Sequence, residues 1–283
     1  MTDESAVIAS EAKQSRATSR PLDCFVADAP RNDGAVVSLK GVGKTFPNGV
    51  TALSGLDLTV RHGETLTLLG PSGCGKSTVL RLIAGLSEPS AGTIEWADPA
   101  ARQNIGFVFQ DPTLLPWANV FDNVYLPLRL AGQSRAEAHE IVMNALSRVG
   151  LADFAKALPR ELSGGMKMRC AVARAFITRP ALVLMDEPFA ALDEVTRCKL
   201  NDGLVALKEQ LGATIVFVTH SIFESAFVST RIVVMSRARG ALVEEIEIDP
   251  AIARNQDYRM SETFSQITRR ASHALHTAMG ETG

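Results

Sequence analysis

The chain has 283 residues, of which 46% are hydrophobic, so it is long and apolar enough to bury a sizeable core. Its 29 basic and 31 acidic residues give a net charge of -2, which provides no broad positive field for a nucleic-acid partner. The four cysteines include no C-x-x-C pair, so the sequence indicates neither a zinc site nor a disulfide framework and fits a reducing cytosol.

The N-terminal segment, residues 1–34, differs in composition from the rest of the chain. It is rich in Ser, Ala and Arg, and acidic residues interrupt it at positions 3, 4 and 11. Because it lacks the continuous apolar segment of a signal peptide, we expect a disordered tail. No later apolar run approaches the roughly 18 to 20 residues that a membrane span requires, so we expect no transmembrane helix.

Short apolar or β-branched runs alternate with helical patterns from Val36 onward. This alternation predicts an α/β domain with a mostly parallel sheet over residues 35–240. We expect the first, second and fourth strands to form a separate antiparallel side sheet. The expected strands span residues 36–40, 56–60, 65–69, 93–96, 105–109, 181–185, 214–218 and 231–235.

Residues 111–165 show helical patterns without strands, and we expect them to form an all-helical subdomain inserted in the α/β domain. Ser134 and Glu137 have the spacing of a capping box, and Gly150 is placed to end the helix that they begin. Five apolar residues repeat at helical spacing between these points: Ala138, Ile141, Val142, Ala145 and Val149.

A C-terminal extension, residues 241–283, is expected to contain a strand and an amphipathic helix. Phe264, Ile267, Ala271 and Leu275 recur at helical spacing within it. We expect this apolar face to pack on the chain's own domain rather than on a membrane.

Residues 70–77 read Gly-Pro-Ser-Gly-Cys-Gly-Lys-Ser and fit the phosphate-loop pattern G-x-x-x-x-G-K-[ST]. They lie between the strand expected at 65–69 and a helix expected at 78–84, which is the context that phosphate binding requires. Backbone N–H groups would wrap the phosphates, Lys76 would place a cation against the outer ones, and Ser77 would bind Mg²⁺. Cys74 is interpreted as a small filler, with a thiol of lowered pKa as the alternative. The predicted nucleotide-binding residues here are Gly70, Pro71, Ser72, Gly73, Cys74, Gly75, Lys76, Ser77 and Thr78.

An acidic pair, Asp186 and Glu187, follows the buried strand expected at 181–185. Adjacent residues of a strand point to opposite sides, so the two carboxylates are expected to have different roles. At the carboxyl edge of a parallel sheet, Asp186 would hold Mg²⁺ and Glu187 would polarise the attacking water. The alternative is a solvated acidic pair at the end of a strand.

Two more expected strands end in polar residues at the same edge of the sheet. Gln110 follows one of them and suits contact with the metal ion or the water. His220 follows the other and suits contact with a γ-phosphate oxygen, although a lone histidine is more often structural. Phe46, ahead of the phosphate loop, either stacks on adenine or belongs to the core.

Residues 161–170, Glu-Leu-Ser-Gly-Gly-Met-Lys-Met-Arg-Cys, indicate a second anion site. Ser163 can cap a helix, Gly164 and Gly165 let a ligand approach closely, and basic residues follow. One chain therefore carries two helix starts that suit a phosphate group.

Taken in order, these motifs make the chain resemble the nucleotide-binding subunit of ATP-binding cassette (ABC) transporters, from about residue 36 to 236. The resemblance rests also on Leu162, ahead of Ser163, and on the run from Ala191 to Asp193. It implies a RecA-like phosphate-loop core that binds ATP and Mg²⁺ and hydrolyses ATP, with Asp193 among the nucleotide-binding residues. It also implies a head-to-tail dimer in which residues 163–165 of one copy contact the γ-phosphate bound to the other copy.

The resemblance implies an integral membrane permease as a partner and, indirectly, an extracytoplasmic solute-binding protein. The chain would then be peripheral at the cytoplasmic face of the inner membrane, with no nucleic-acid partner. A soluble ABC ATPase without a transport role is the first alternative. A phosphate-loop metabolite kinase is the second, but it would leave residues 163–165 unexplained.

Met166 and the segments 107–117 and 219–225 are similar to the importer branch that handles nitrate, sulfonates, taurine and related small molecules. Within the first segment, three apolar residues either receive a short helix of the permease or close the core of the helical subdomain. Three positions depart from the commonest family pattern without removing a catalytic group. The apolar residues are Leu114, Leu115 and Trp117, and the departures are Phe46, Met166 and Ala190.

Overall fold

The computed structural model describes residues 34–238 and 240–280. The tail expected at residues 1–34 therefore lies, apart from Gly34, outside the described residues. Within them, no helix has both the length and the apolar composition for a membrane span.

The elements follow the alternation that the sequence predicts. Within the described residues the strands are β1 Ala35–Thr45, β2 Thr51–Arg61, β3 Thr65–Leu69, β4 Ala91–Trp96, β5 Ile105–Val108, β6 Leu182–Asp186, β7 Ile215–Thr219, β8 Arg231–Met235 and β9 Leu242–Glu247. The helices are α1 Lys76–Ile83, α2 Val120–Leu130, α3 Arg135–Arg148, α4 Gly164–Phe176, α5 Glu194–Leu211, α6 Ile222–Val228, α7 Gln256–Arg259 and α8 Glu262–Met279.

A three-stranded antiparallel sheet has the order β2-β1-β4, which confirms the expected side sheet. Its first two strands are longer than the sequence predicts because polar residues beyond the apolar runs also pair. Lys44 faces Leu53, and Thr45 faces Thr51, at the end of the β1–β2 ladder. The expected bounds therefore fall short of the full strands, although Val42 and Leu53 in the additional parts also belong to the core.

A six-stranded sheet has the order β5-β6-β7-β3-β8-β9 and carries the site. All its pairings are parallel except the one between β8 and β9. That pair is antiparallel because residues 236–241 are too few for the crossover that a parallel pair needs. β3, β7 and β8 are buried along their whole length, as expected for strands covered on both faces.

Helices cover both faces of this sheet. On one face, α1 packs with the side sheet through Val79 and Leu80. On the other face, α4, α5 and α6 form a core around Phe189, Phe217 and Phe227. The carboxyl ends of the parallel strands consequently open between two packed layers, where open α/β sheets place their ligands.

α2 and α3 lie in the expected helical subdomain. The capping box forms as predicted, since Ser134 accepts from the Glu137 N–H and the Glu137 carboxylate accepts from the Ser134 N–H. Gly150 has a φ of 64° just beyond α3. The buried positions of α3 are Ala138, Val142 and Leu146, whereas Ile141, one of the five apolar residues at helical spacing, is exposed.

α8 is the C-terminal amphipathic helix, and it packs on β8 and β9. Its buried residues are Phe264, Ala271, Ala274 and Ala278, with Ile267 partly buried beside them. Leu275, which the spacing placed on this face, is only half-buried. β9, expected within the C-terminal extension, completes the edge of the central sheet.

Candidate nucleotide site

The phosphate loop connects β3 to α1, and two of its glycines have backbone conformations that favour glycine. Gly73 has a φ of 81° and Gly75 a φ of 106°, both in the left-handed region. Gly75 is the N-cap of α1 and provides no side-chain cap. The N–H groups of the first turn of α1 therefore stay available for a phosphate group.

Lys76 begins α1, two residues earlier than predicted, and only 4% of it is exposed. Its ammonium donates hydrogen bonds to the carbonyl oxygens of Gly70 at 2.7 Å and Pro71 at 3.0 Å. It also lies 3.9 Å from Glu187 Oε1. The loop thus holds the cation at the point where the outer phosphates of a nucleotide would lie.

Ser77 and Asp186 form the part of the site that suits Mg²⁺. The Ser77 hydroxyl donates to Asp186 Oδ1 at 2.7 Å, although 109 positions separate the two residues. Burial raises the pKa of the Asp186 carboxyl, and the hydrogen bond from Ser77 opposes this shift. A hydroxyl and a carboxylate oxygen at one point are the ligands that Mg²⁺ prefers, and a cation there would favour the ionised carboxylate.

Glu187 and His220 meet beside the phosphate loop. His220 Nδ1 lies 3.0 Å from Glu187 Oε2. β6 ends at Asp186, and Glu187 already has a φ of 46°, while its N–H donates to the Val218 carbonyl at 3.0 Å. The Asp186 and Glu187 carboxylates do contact different partners, as we expected. The reason differs from the expected one, because the turn of the backbone at Glu187 directs its side chain and the alternation of strand residues does not.

Gln110 and Phe46 are the two remaining residues predicted for this site from the sequence. Gln110 follows β5, is exposed, and makes no side-chain hydrogen bond to a described residue. Phe46 is half-buried and belongs to none of the hydrophobic clusters of the described residues. The Lys44 ammonium lies 5.6 Å from the centre of its ring. Because Phe46 is only half-buried and lies outside these clusters, its ring is free to stack on a base. The alternative of a core residue does not fit this environment.

Cys74 is a core residue of the loop. It is only 1% exposed and packs with the cluster that contains Leu53 and Val79. Burial raises the pKa of its thiol despite the opposing effect of Lys76. The alternative of a thiol with a lowered pKa is therefore wrong.

Ser163 is the N-cap of α4 and accepts a hydrogen bond from the Met166 N–H at 3.3 Å. A Cβ on Gly165 would lie 2.8 Å from Thr196 Cγ2, so this glycine also allows α4 to approach α5. Asp193 is the N-cap of α5, and hydrogen bonds from Thr196 lower the pKa of its carboxyl. Among the described residues, no hydrogen bond or ion pair joins residues 163–165 to the phosphate loop.

Two side chains that the sequence analysis did not identify hold the loop after Gln110. Asn123 of α2 is fully buried; it accepts from the Leu115 N–H and donates to the carbonyl oxygens of Leu115, Ala118 and Asn119. Arg174 of α4 donates to the backbone carbonyls of Pro112 and Thr113. The only available signal was an asparagine within the apolar run of α2, and nothing marked Arg174.

A phosphate loop, a magnesium-type Ser77–Asp186 pair and a Glu187–His220 pair at one sheet edge define a phosphate-loop nucleoside triphosphatase. Comparison with known proteins gives the family. Residues 53–190 match the family model described as ABC transporter. The chain is 42% identical over 237 residues to a Brucella abortus protein named for ATP binding, covering 83% of this chain and 91% of that protein. The chain therefore belongs to the ABC transporter family.

Two further similarities agree with this assignment. The spermidine/putrescine import ATP-binding protein PotA of Salmonella typhimurium is 45% identical over 222 residues, 76% of this chain and 58% of that protein. A dimeric post-hydrolysis structure of the ATP-binding cassette MJ0796 with ADP and Pi has a TM-score of 0.67 and 34% identity, covering 75% of this chain and 99% of that one. The chain is thus an ATP-binding ABC ATPase, and it couples ATP hydrolysis to transport.

Proposed function

We propose that this chain is the peripheral subunit that powers import of a small polar or anionic solute through a separate membrane permease. It would work at the cytoplasmic face of the membrane. The observation that supports the catalytic part is the meeting of Lys76, Ser77, Asp186, Glu187 and His220 at one edge of one sheet.

The geometry supports a division of roles within this site. Lys76 and the N–H groups of the loop bind the phosphates, and Ser77 with Asp186 holds Mg²⁺, with Gln110 as a further oxygen ligand. When bound, Mg²⁺ neutralises negative charge on the phosphates. Glu187 orients and polarises the attacking water, and His220, held by Glu187, contacts the γ-phosphate.

A second copy of the chain is the proposed partner at each ATP. Ser163 is exposed at the start of α4, and no hydrogen bond or ion pair among the described residues joins it to the chain's own phosphate loop. Its helix start is therefore available to a phosphate bound elsewhere. The dimeric form of the related MJ0796 cassette supports this arrangement.

The loop after Gln110 is the proposed contact with the permease. Leu114 packs on two cores of the chain, so the core alternative applies to this residue. Trp117, by contrast, is 77% exposed, and the hydrogen bonds of Asn123 and Arg174 fix the loop that presents it. A rigid loop with one large exposed aromatic side chain is typical of an interface anchor.

Trp117→Ala is expected to weaken association with the permease by about 10- to 100-fold, because a buried aromatic anchor contributes roughly 2 kcal/mol or more at an interface. The measurement is co-purification of the variant with its membrane subunit from detergent, together with the melting temperature of the isolated chain. Leu130→Ala is the matched control, since Leu130 is a large apolar residue that is 79% exposed at the end of α2, outside the loop. Unchanged association together with a lowered melting temperature would favour the core interpretation instead.

The solute class rests on the resemblance to the branch that handles nitrate, sulfonates, taurine and related molecules. A polyamine is the second candidate, because the relative PotA is named for spermidine and putrescine import. We expect a deletion strain to lose uptake of one anionic or zwitterionic solute and to regain it with the parent gene but not with a Glu187→Gln gene. Loss of polyamine uptake alone would favour the second candidate, and normal uptake of every solute would contradict the import proposal.

A further inference from the structure

Glu224 lies three residues after Ser221, the N-cap of α6, and this spacing is that of a capping box. In a capping box the glutamate accepts a hydrogen bond from the N-cap N–H, as Glu137 does from Ser134. Here the Ser221 N–H donates instead to the Thr219 hydroxyl at 3.0 Å. The Glu224 carboxylate is consequently free to point into the protein, and Glu224 is only 5% exposed.

The Glu224 carboxylate joins two segments of the site. The Thr219 hydroxyl, one residue before His220, donates to Glu224 Oε2. Glu224 Oε1 lies 3.9 Å from Nε of Arg197, which is in the first turn of α5. Arg197 also forms an ion pair with Glu194 at 2.9 Å, next to the Asp193 cap. One buried carboxylate therefore contacts the end of β7 and the beginning of α5.

Glu224 Oε1 and Arg197 Nε are buried and have no hydrogen-bond partner among the described residues. Burying a charged carboxylate without full pairing is costly, and burial raises the pKa of Glu224. A separation of 3.9 Å exceeds a hydrogen bond by about 1 Å, so a small approach of α5 would complete the pair. A side chain that only capped α6 could reach solvent at no such cost, as Glu137 does.

We propose that Glu224 is a positioning residue that fixes the His220 segment against α5 through Thr219 and Arg197. This inference rests on the proposed role of His220 at the γ-phosphate. His220 follows directly on Thr219, so the orientation of its ring toward Glu187 depends on where Glu224 holds the Thr219 side chain. The phosphate loop lies outside this set of contacts, and ATP affinity should not depend on it.

The test is steady-state ATP hydrolysis by the purified full-length chain carrying Glu224→Gln, which removes the charge and nearly keeps the shape. We expect kcat to fall about 10- to 100-fold while KM for ATP changes less than about threefold, since a hydrogen bond to a charged group is lost outside the nucleotide-binding loop. A raised KM with an unchanged kcat would overturn the proposal, as would parent values of both.

A double-mutant cycle with His220→Ala separates positioning from an independent effect. If Glu224 acts through His220, Glu224→Gln should change kcat less than about twofold in the His220→Ala background, because coupled residues are not additive. Equal losses in both backgrounds would contradict the inference. A parent kcat for His220→Ala alone would instead contradict the proposed function.

Thr219 provides a second pair of variants should Glu224→Gln fail to fold. Thr219→Val keeps the shape but removes the hydroxyl that donates to Glu224 and accepts from Ser221. Thr219→Ser keeps that hydroxyl and should rescue kcat to at least about half of the parent value. Equal kcat values for the valine and serine variants would show that this hydroxyl does not position His220.

Discussion

Glu187→Gln is expected to lower kcat for ATP hydrolysis by about 10³-fold, within the range of a lost general base, while ATP remains bound. The amide keeps the size of the side chain and can still contact His220, which lies 3.0 Å from the carboxylate in the parent chain. It cannot accept the proton of the attacking water. The measurement is the hydrolysis rate together with nucleotide retention on a filter, and hydrolysis at the parent rate would exclude Glu187 as the group that activates water.

Lys76→Ala is the matched control for this variant, because the two residues lie 3.9 Å apart in the same site. Lys76→Ala should lower ATP binding and hydrolysis together, because it removes the ammonium that hydrogen bonds to the Gly70 and Pro71 carbonyls hold at the phosphate loop. The two variants should therefore differ in nucleotide retention rather than in turnover. Equal retention by both would mean that Lys76 does not bind the phosphates.

The contiguous motifs could be predicted from the sequence because their chemistry depends on the backbone of residues that are adjacent in the chain. The spacing of Gly70, Gly75, Lys76 and Ser77 is enough to predict a phosphate loop, whereas the left-handed glycines and the burial of the Lys76 ammonium are findings of the structure. The parallel sheet also followed, since strands with apolar residues on both faces, such as β7, are stable only between two layers. From the parallel sheet it follows that Ser77 and Asp186 should lie at one edge.

Features that depend on the balance of opposing interactions could not be predicted from the sequence. The pKa of Cys74 follows from burial, which outweighs the nearby Lys76, and burial is a property of the packed fold. Glu224 and Glu137 share the same local spacing, yet the Thr219 hydroxyl directs only Glu224 inward. Likewise, the pattern did not separate Leu114 from Trp117, because only the packing of α2 and α4 decides which one remains exposed.

Ser163→Arg is expected to abolish the ATP-dependent dimer of the Glu187→Gln chain. In the proposed dimer the Ser163 helix start contacts the γ-phosphate on the other copy, and an arginine side chain would fill that space. A helix N-terminus favours an anion by roughly 0.3 to 2 kcal/mol, and this contribution needs the bound phosphate. Without nucleotide, dimerisation should therefore be weak. Sedimentation with and without ATP measures the change, and an ATP-bound dimer of the double variant would mean that the second glycine site has another use.

Ser134→Arg is the matched control, since Ser134 is the N-cap of α3 and makes the same kind of cap as Ser163 does in α4. Both substitutions remove a side-chain cap, at a cost of about 1 kcal/mol in stability. Only the one at residue 163 should prevent the dimer. If the Ser134→Arg chain also stayed monomeric with ATP, the loss would reflect weakened helices rather than a composite site.

Mixing Lys76→Ala with Ser163→Arg chains, each otherwise parent, distinguishes a shared site from a site within one chain. Neither homodimer would contain a complete site, whereas the heterodimer would combine the phosphate loop of the Ser163→Arg chain with residues 163–165 of the Lys76→Ala chain. Half of the dimers in an equal mixture are heterodimers with one of two sites intact, so the rate should approach about one quarter of the parent value. A site complete within one chain would give no recovery, because each variant would remain inactive whatever its partner.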